Sequence, residues 1–148
     1  MALKVYASAD PSTSFSEDST FTNPISYSVD GVSGGTLTRK FYVRNNDLTK
    51  FYVDISIAAV VNSGLMITDG SVRSFYWKLF NSDTAPLESQ WDLINANNTI
   101  ELNDIGSSGN ADIATYLPFW LRINVPKNTE IQSFENVSLV ITATETIA

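Results

Sequence analysis

The chain contains no histidine and no cysteine in its 148 residues. Histidine titrates closest to neutral pH and is the commonest metal ligand in proteins. Cysteine provides thiolate nucleophiles, disulfides and soft metal ligands. Their absence excludes histidine-dependent triads, ordinary zinc sites and covalent cross-links. No remaining motif indicates a particular reaction, so we expect a protein that binds or supports other molecules rather than an enzyme.

Charged residues are also scarce, at 17% of the chain, and acidic residues dominate. Nine basic against sixteen acidic residues give a net charge of −7. Such a chain gains no counterion release on a phosphate backbone, which disfavours nucleic acid as a partner. No apolar run reaches the roughly 18 residues that a membrane span needs. The apolar stretch within residues 1–9 is too short for a secretory signal, so we expect a mature product or a cytoplasmic site of synthesis and use.

The apolar residues follow the pattern of β-strands almost throughout, and no stretch has convincing helical spacing. The alternating runs are Leu3–Ala7, Ile25–Val29, Leu37–Arg44, Phe51–Val60, Phe75–Phe80, Thr99–Leu102, Tyr116–Val125 and Val137–Thr144. Clusters of Gly, Asn, Asp and Pro separate them and are typical of turns. The sequence predicts one all-β domain over residues 1–148. We expect a single antiparallel β-sandwich of the immunoglobulin-like type, with a jelly roll as the second choice.

The parity of the residue numbers predicts which side of each strand faces the core. The large apolar residues at odd positions are Phe41, Val43, Phe51, Val53, Ile55, Ile57, Phe75, Trp77, Leu79, Phe119, Leu121, Ile123, Val125, Val137, Leu139 and Ile141. Because side chains alternate between the two faces of a strand, these residues are expected to share one core. Each deeply buried side chain contributes roughly 1.5–3 kcal/mol, so the fold needs neither metal nor disulfide.

A polar stretch from Ser8 to Asn23 interrupts the strand pattern. Phe15 and Phe21 are its large apolar anchors. We interpret residues 8–23 as an extended arm or long loop. Because free termini usually fray unless something holds them, we expect this arm to lie on its own domain or on a neighbouring subunit.

The even-numbered positions of the strands combine aromatic and basic residues. The aromatic and arginine residues are Tyr42, Arg44, Tyr52, Tyr76, Phe80, Trp120 and Arg122, with Lys40 and Lys78 among them. Tyr, Trp and Arg are enriched at protein interfaces. We therefore predict that these aromatic and arginine residues form a partner-binding outer face.

Two arrangements of residues 36–60 are open, and they place the aromatic residues differently. In a direct hairpin, Tyr42 lies opposite Tyr52 and Lys40 lies opposite Asp54. In an immunoglobulin-like arrangement, the two strands belong to different sheets and the aromatics are divided between two outer faces. A third interpretation is that long loops cover the aromatics or that they stand singly exposed, as is normal on protein surfaces.

Metal-binding and catalytic interpretations have weaker support. Turns rich in Asn and Asp, at residues 45–47, 103–104 and 110–112, offer oxygen ligands for calcium, but turn formation explains the same residues. The carboxylates considered for a glycosidase pair are Asp83, Glu88, Asp92 and Glu101. Nothing in the sequence places two of them at the required separation of roughly 5–9.5 Å. We therefore predict no metal, no cofactor and no catalytic residue.

Two stretches of the chain share a pattern of strand, turn and strand. The first is Gly35–Asn46 followed by Phe51–Ile57, and the second is Leu117–Pro126 followed by Val137–Glu145. Together they resemble the immunoglobulin-like sandwich domains of bacteriophage virion proteins and of bacterial surface-layer and adhesin modules. The resemblance implies a structural role as a homo-oligomer: a capsid decoration (cement) protein, or a tail or neck component.

The resemblance leads us to expect a non-enzymatic virion protein assembled in the host cytoplasm. Its partners would be other copies of itself and virion proteins such as the major capsid protein. The outer-face aromatics would be the anchors, with Arg44 and Arg122 pairing with carboxylates or carbonyls. The alternative is a carbohydrate-binding or adhesin module, in which Trp120 and the tyrosines form a platform for a sugar.

Overall fold

The computed structural model describes residues 2–10, 14–15, 33–61, 76–126 and 137–148. The strands are β1 (Leu3–Tyr6), β2 (Gly35–Asn45), β3 (Lys50–Val61), β4 (Tyr76–Phe80), β5 (Thr99–Glu101), β6 (Leu117–Val125) and β7 (Val137–Ile147), and the helix is α1 (Glu88–Asp92). The alternating runs of the sequence coincide with these strands. The run at residues 25–29 lies outside the described residues.

The strands form two antiparallel sheets of a β-sandwich, which confirms the predicted fold class. One sheet has the order β1-β2-β6-β4 and the other has the order β5-β3-β7. Because β2 and β3 lie in different sheets, the direct hairpin that pairs Tyr42 with Tyr52 is wrong. The crossover allows each strand to bury its apolar side against the opposite sheet. The order β1-β2-β6-β4 with β3-β7 corresponds to strands A-B-E-D and C-F of an immunoglobulin domain.

The core lies between the sheets and uses large side chains from both. The side chains with 0% exposure include Phe41, Val43, Tyr52, Ile55, Ile57, Leu79, Ile105, Phe119 and Leu121. Phe41 and Phe119 are cross-strand neighbours and stack with ring centroids 5.6 Å apart. The odd-numbered positions of β2, β4 and β6 face inward as predicted. The prediction for Phe75 and Val137 lies outside the described side chains.

A β-bulge interrupts the regular alternation of β3. Val53 pairs with Thr144, and the next pair joins Ser56 to Thr142, so Asp54 and Ile55 share one opposing residue of β7. Asp54 has a φ of 53°, in the left-handed region. Because of the extra residue, the even-numbered Tyr52 faces the core before the bulge, whereas the odd-numbered Ile55 and Ile57 face it afterwards.

This bulge overturns the predicted placement of Tyr52 on the outer face. Tyr52 is fully buried, whereas Phe51 and Val53, predicted as core residues, are only partly buried. The Tyr52 hydroxyl donates to Glu145 Oε2 at 2.8 Å and accepts from the Ala2 N–H at 3.0 Å. Tyr52 is therefore a core residue whose polar tip is satisfied at the end of the sandwich.

The described part of the predicted arm lies on its own domain. The Phe15 N–H donates to the Val5 carbonyl at 2.8 Å. The Phe15 ring meets Phe41 edge-on, with centroids 5.5 Å apart. The guanidinium carbon of Arg39 lies 5.6 Å from the Phe15 ring centroid and 5.2 Å from that of Phe41. Phe15 thus anchors the chain as expected, while Phe21 lies outside the described residues.

Candidate functional site

The outer face of the four-stranded sheet brings together most of the predicted partner-binding residues. Even-numbered positions of β2, β4 and β6 lie on it in cross-strand rows. The rows are Lys78–Arg122–Thr38, Phe80–Trp120–Lys40 and Pro118–Tyr42. Directly opposite residues on neighbouring strands lie about 5 Å apart, so each row is a continuous set of contacts. We call this surface the aromatic-basic face.

Helix α1 covers one end of the aromatic-basic face. Trp91 of this helix is 1% exposed, and its ring lies 4.8 Å from the guanidinium carbon of Arg122. The Trp91 and Phe80 ring centroids are 6.0 Å apart. Lys78 Nζ donates to the Trp91 carbonyl oxygen at 3.1 Å. The helix thus encloses Arg122 and Lys78 of the first row and the neighbouring Tyr76, all three of which are buried, whereas Thr38 stays exposed.

A bidentate ion pair fixes α1 to the sheet. The two Nη atoms of Arg122 donate to the Glu88 carboxylate at 2.7 and 2.8 Å, and Nε donates to Thr38 Oγ1 at 3.0 Å. Hydrogen bonding to Arg122 lowers the pKa of Glu88, and the same contact raises the pKa of Arg122. The planar fork of a guanidinium matches the geometry of a carboxylate. Arg122 therefore holds the helix of its own chain instead of presenting an open fork to a partner.

Two more ionisable groups are enclosed near α1. Burial lowers the pKa of Lys78 and raises the pKa of Tyr76, because desolvation disfavours the charged form of each. Lys78 Nζ lies 4.7 Å from the Tyr76 ring centroid. The negative face of the ring partly replaces the solvation that the ammonium loses. Both side chains thus lie inside the covered end of the face, where their charged forms are disfavoured.

The segment before β6 covers the other end of the aromatic-basic face. Tyr116 contacts Tyr6 and Tyr42 edge-on, with ring centroids 5.8 and 6.2 Å apart. The guanidinium carbon of Arg44 lies 5.3 Å from the Tyr116 ring centroid. Arg44 Nε donates to the Ile113 carbonyl at 2.6 Å. Arg44 is therefore engaged within the chain, as Arg122 is.

A strip of half-buried side chains lies between the two covers: Lys40, Tyr42, Phe80 and Trp120. Lys40 Nζ pairs with Asp83 Oδ1 at 2.8 Å and lies 5.2 Å from the Tyr42 ring centroid. The hydrogen bond to Asp83 raises the pKa of Lys40. The Trp120 indole Nε1 is buried and has no hydrogen-bond partner in the described part of the chain. We call these four residues the central strip.

The predicted binding residues fall into three environments. Tyr42, Phe80 and Trp120 belong to the central strip. The residues under the chain's own covers are Arg44, Tyr76 and Arg122. Tyr52 lies in the core, on the other sheet. The interpretation that other parts of the chain cover the outer face therefore applies to Arg44, Tyr76 and Arg122, which lie under α1 or under the segment before β6.

Sequence reasoning missed the residues that cover the aromatic-basic face. Trp91 and Tyr116 were assigned no role, and Glu88 was considered only as a catalytic carboxylate. A local signal does exist, since Glu88 lies in the first turn of α1 and the Gln90 side chain accepts from the Leu87 N–H at 2.8 Å. Such residues are typical of helix starts. Five residues, however, are too few to produce a helical apolar pattern.

The first Asn and Asp cluster considered for calcium is engaged in turn hydrogen bonds. The Asn45 side-chain amide donates to the carbonyls of Lys50 at 2.8 Å and Ala111 at 2.6 Å. Asp47 Oδ1 accepts from the Thr49 N–H at 2.8 Å and from its hydroxyl at 2.6 Å. These contacts lower the pKa of Asp47. The cluster thus fixes the crossover from β2 to β3.

Comparisons with protein-family models, curated proteins and solved structures gave no match to this chain. Among the residues that the structure describes, no three acidic, histidine or cysteine side chains are grouped so that they could hold a metal ion. In those same ranges, no helix has the length and apolar character to cross a membrane.

Proposed function

We propose that this chain is a non-enzymatic structural protein of a bacteriophage virion. In this proposal it is a capsid decoration (cement) protein that binds neighbouring subunits through the central strip. The observation that carries the proposal is the strip itself: three aromatic rings and a lysine, left partly open between two covers. The resemblance of residues 35–46, 51–57, 117–126 and 137–145 to virion sandwich domains provides the biological context.

The side chains of the central strip are held by contacts within the chain. Trp120 has Phe80 and Lys40 as cross-strand neighbours. The Tyr42 ring contacts Tyr116, and Lys40 is bound to Asp83. Side chains that are fixed beforehand lose little conformational entropy when a partner arrives. This preorganisation supports a role as interface anchors, since aromatic anchors dominate measured binding energies.

The distribution of charge favours an acidic partner surface. The chain has a net charge of −7 and nine basic residues. Five of them lie on the outer side of the four-stranded sheet: Lys4, Lys40, Arg44, Lys78 and Arg122. Because Arg44, Lys78 and Arg122 are engaged within the chain, Lys40 is the positive charge that the central strip offers to a partner. Lys40 in the strip pairs with Asp83, whose side chain is 80% exposed. Exposed pairs contribute only about 0–1 kcal/mol, so a carboxylate of a partner can replace Asp83 at small cost.

A carbohydrate-binding module is the alternative for the same strip. Sugar stacking uses an open ring face, whereas Tyr42, Phe80 and Trp120 are all half-buried. This favours a protein partner, which surrounds a partly buried ring from several sides. Glycan binding is therefore an outcome against which the proposal is tested.

The test is co-sedimentation of the full chain with capsids assembled from the major capsid protein of the same genome. We expect the wild-type chain to pellet with capsids. Trp120→Ala should weaken binding about thirtyfold, the effect of losing an anchor of about 2 kcal/mol. Leu48→Ala is the control, because Leu48 is an exposed leucine outside the aromatic-basic face. Its binding should equal that of the wild type.

A second variant guards against partial unfolding of Trp120→Ala. Asp83→Lys should keep the fold, because the Asp83 side chain is 80% exposed. It replaces the carboxylate beside Lys40 with a second positive charge. If the partner surface is acidic, as we propose, Asp83→Lys should maintain or strengthen capsid binding. If the partner surface is basic, the same variant should weaken binding. Three results would overturn the proposal. The wild-type chain would fail to co-sediment with capsids, or Trp120→Ala would bind capsids as well as the wild type does. The third result is binding to a glycan array that depends on Trp120.

A further inference from the structure

Strand β7 forms a long edge of the three-stranded sheet. Within the described residues, β7 pairs with β3 alone. It has 11 residues, whereas β5 at the opposite edge has 3. Proteins commonly protect exposed edges with short strands, lysines, prolines or bulges. The β7 sequence VSLVITATETI has no lysine or proline, and the bulge belongs to β3. Among the described residues, this edge therefore has neither a second partner strand nor the usual protection.

The backbone of β7 directs hydrogen-bonding groups to this open edge. The Ala148 N–H donates to the Thr49 carbonyl at 2.8 Å. Because backbone groups alternate sides along an antiparallel strand, the even-numbered residues of β7 bond to β3. The odd-numbered residues from Leu139 to Ile147 therefore direct their N–H and C=O groups away from the sheet. These outward N–H and C=O groups form a regular row that could hydrogen-bond to an added strand.

The inner apolar layer is also incomplete along β7. Leu139, Ile141 and Ala143 pack on the core but are only partly buried. The corresponding residues of β3, Ile55 and Ile57, have 0% exposure. In the immunoglobulin arrangement a further strand, G, pairs with the edge of strand F, which β7 represents. An added strand at this edge would complete both the hydrogen bonding and the apolar layer.

We propose that the open edge of β7 pairs antiparallel with β7 of a second copy, around a two-fold axis that passes midway between the two copies of Thr142. This register sets Ile141 opposite Ala143 and Leu139 opposite Glu145 of the second copy. Odd-numbered residues then meet odd-numbered residues, so outward backbone groups are paired. The inner apolar layers of the two sandwiches become continuous. The interface lies on the sheet opposite the central strip and does not depend on the proposed capsid binding.

A second copy fits this edge better than a charged partner does. Antiparallel edge pairing is self-complementary under a two-fold axis, the commonest symmetry of oligomers. The outward side chains of β7 are uncharged: Val140, Thr142, Thr144 and Thr146. The one charged residue, Glu145, is already bonded to Lys50 Nζ at 2.7 Å and to the Tyr52 hydroxyl at 2.8 Å. In the proposed register the two copies of Glu145 lie roughly 20 Å apart, so they do not oppose one another.

The absence of cysteine allows a direct test by cross-linking the full chain. Thr142→Cys introduces a single thiol at an exposed position. On the two-fold axis it faces itself in a non-hydrogen-bonded pair, with Cα atoms about 4.5 Å apart, a distance that permits a disulfide. Thr146→Cys is the matched control, since its two copies would lie roughly 27 Å apart. We expect Thr142→Cys to give at least ten times more disulfide dimer under mild oxidation.

Analytical ultracentrifugation of the full chain, without cross-linking, provides a second measurement of the monomer–dimer equilibrium. The wild-type chain should show a monomer–dimer equilibrium. Thr142→Lys should raise the dissociation constant by up to about fivefold, because like charges would face each other across the axis. Thr99→Lys, the same change on the other edge strand, should leave it unchanged, and mixing Thr142→Lys with Thr142→Glu should restore association.

Two results would overturn the β7 pairing. One is a monomeric mass for the wild type at every concentration up to the millimolar range, and the other is equal cross-linking of Thr142→Cys and Thr146→Cys. Neither result bears on capsid co-sedimentation, which depends on Trp120 on the other sheet. Failure of the dimer and failure of the capsid proposal are therefore distinguishable.

Discussion

The outer faces of the two sheets differ in chemistry and in cover. The four-stranded sheet carries aromatic and basic side chains, and α1 and the segment around Tyr116 lie over them. The three-stranded sheet presents small and hydroxylated residues on β3 and β7: Ser56, Ala58, Val140, Thr142, Thr144 and Thr146. Thr142, Thr144 and Thr146 are exposed. One face is thus covered at both ends by its own chain, and the other exposes these three threonines to solvent.

The difference follows from the cost of leaving each kind of side chain in water. Burying the Trp91 ring against Arg122 removes a large apolar area from solvent and satisfies the guanidinium through Glu88. Aromatic rings bury roughly 150–250 Å² each, so an aromatic face gains from a cover. Threonine side chains on the other sheet gain little from a cover. Our two proposals divide in the same way: the first uses side chains on one sheet, and the second uses the backbone edge of the other.

Removing the main contact of the cover should have the largest effect. Trp91→Ala deletes a fully buried indole, and we expect the free energy of unfolding to fall by about 3–5 kcal/mol. Urea denaturation followed by circular dichroism measures this loss. Leu93→Ala, at an 87% exposed position next to the same helix, should change stability by less than about 0.5 kcal/mol. Equal effects of the two variants would mean that α1 is not packed on the sheet.

The three-stranded sheet should be most sensitive at a tightly packed turn. A methyl group at Gly106 would lie 2.5 Å from the Asn110 carbonyl oxygen and 2.8 Å from Phe51 Cβ. Gly109 has a similar φ, +81° against +84°, but open space around it. Gly106→Ala should therefore cost about 1–3 kcal/mol more than Gly109→Ala in urea denaturation. Similar losses would show that backbone strain alone, and not packing, is decisive there.

The bulge of β3 should respond to backbone preference. Asp54 has a φ of 53°, which a β-branched residue adopts poorly. Asp54→Val should lower the free energy of unfolding by about 1–2 kcal/mol, whereas Asp54→Gly should leave it nearly unchanged. If valine were tolerated as well as glycine, the bulge would not set the inward position of Tyr52.

Acid should weaken contacts at both sheets by the same mechanism. Arg122 lowers the pKa of Glu88, and Lys50 followed by Tyr52 lowers that of Glu145, from an ordinary value of 4.5. The unfolded state then binds more protons at low pH, so these contributions are present above about pH 4.5 and are lost as pH falls through the lowered pKa values. Glu88→Gln and Glu145→Gln should each flatten the decline of the urea midpoint between pH 5 and pH 2. An unchanged slope would contradict the corresponding ion pair.

The strands and most of their inward positions could be predicted because alternation is a local property of the sequence. Phe41, Leu79, Phe119 and Leu121 follow strict parity, and all are buried. The prediction failed at Tyr52 because Asp54 gives no sign of a bulge. A glycine would have suggested one, whereas aspartate adopts a positive φ only occasionally.

The candidate site could be predicted only in part, because its covers come from distant parts of the chain. Parity placed Tyr42, Phe80 and Trp120 on a common face correctly. The contact between Glu88 and Arg122 joins residues 34 positions apart, and that between Arg44 and Ile113 joins residues 69 apart. No local pattern encodes such contacts. Sequence therefore identifies the face but not which of its residues remain open.

Electron cryomicroscopy of capsids carrying the bound chain tests the central claim most directly. The account predicts that Tyr42, Phe80 and Trp120 lie against a neighbouring virion subunit, with α1 still paired to Arg122. Density in which these rings face solvent, while a different surface of the sandwich contacts the capsid, would contradict it.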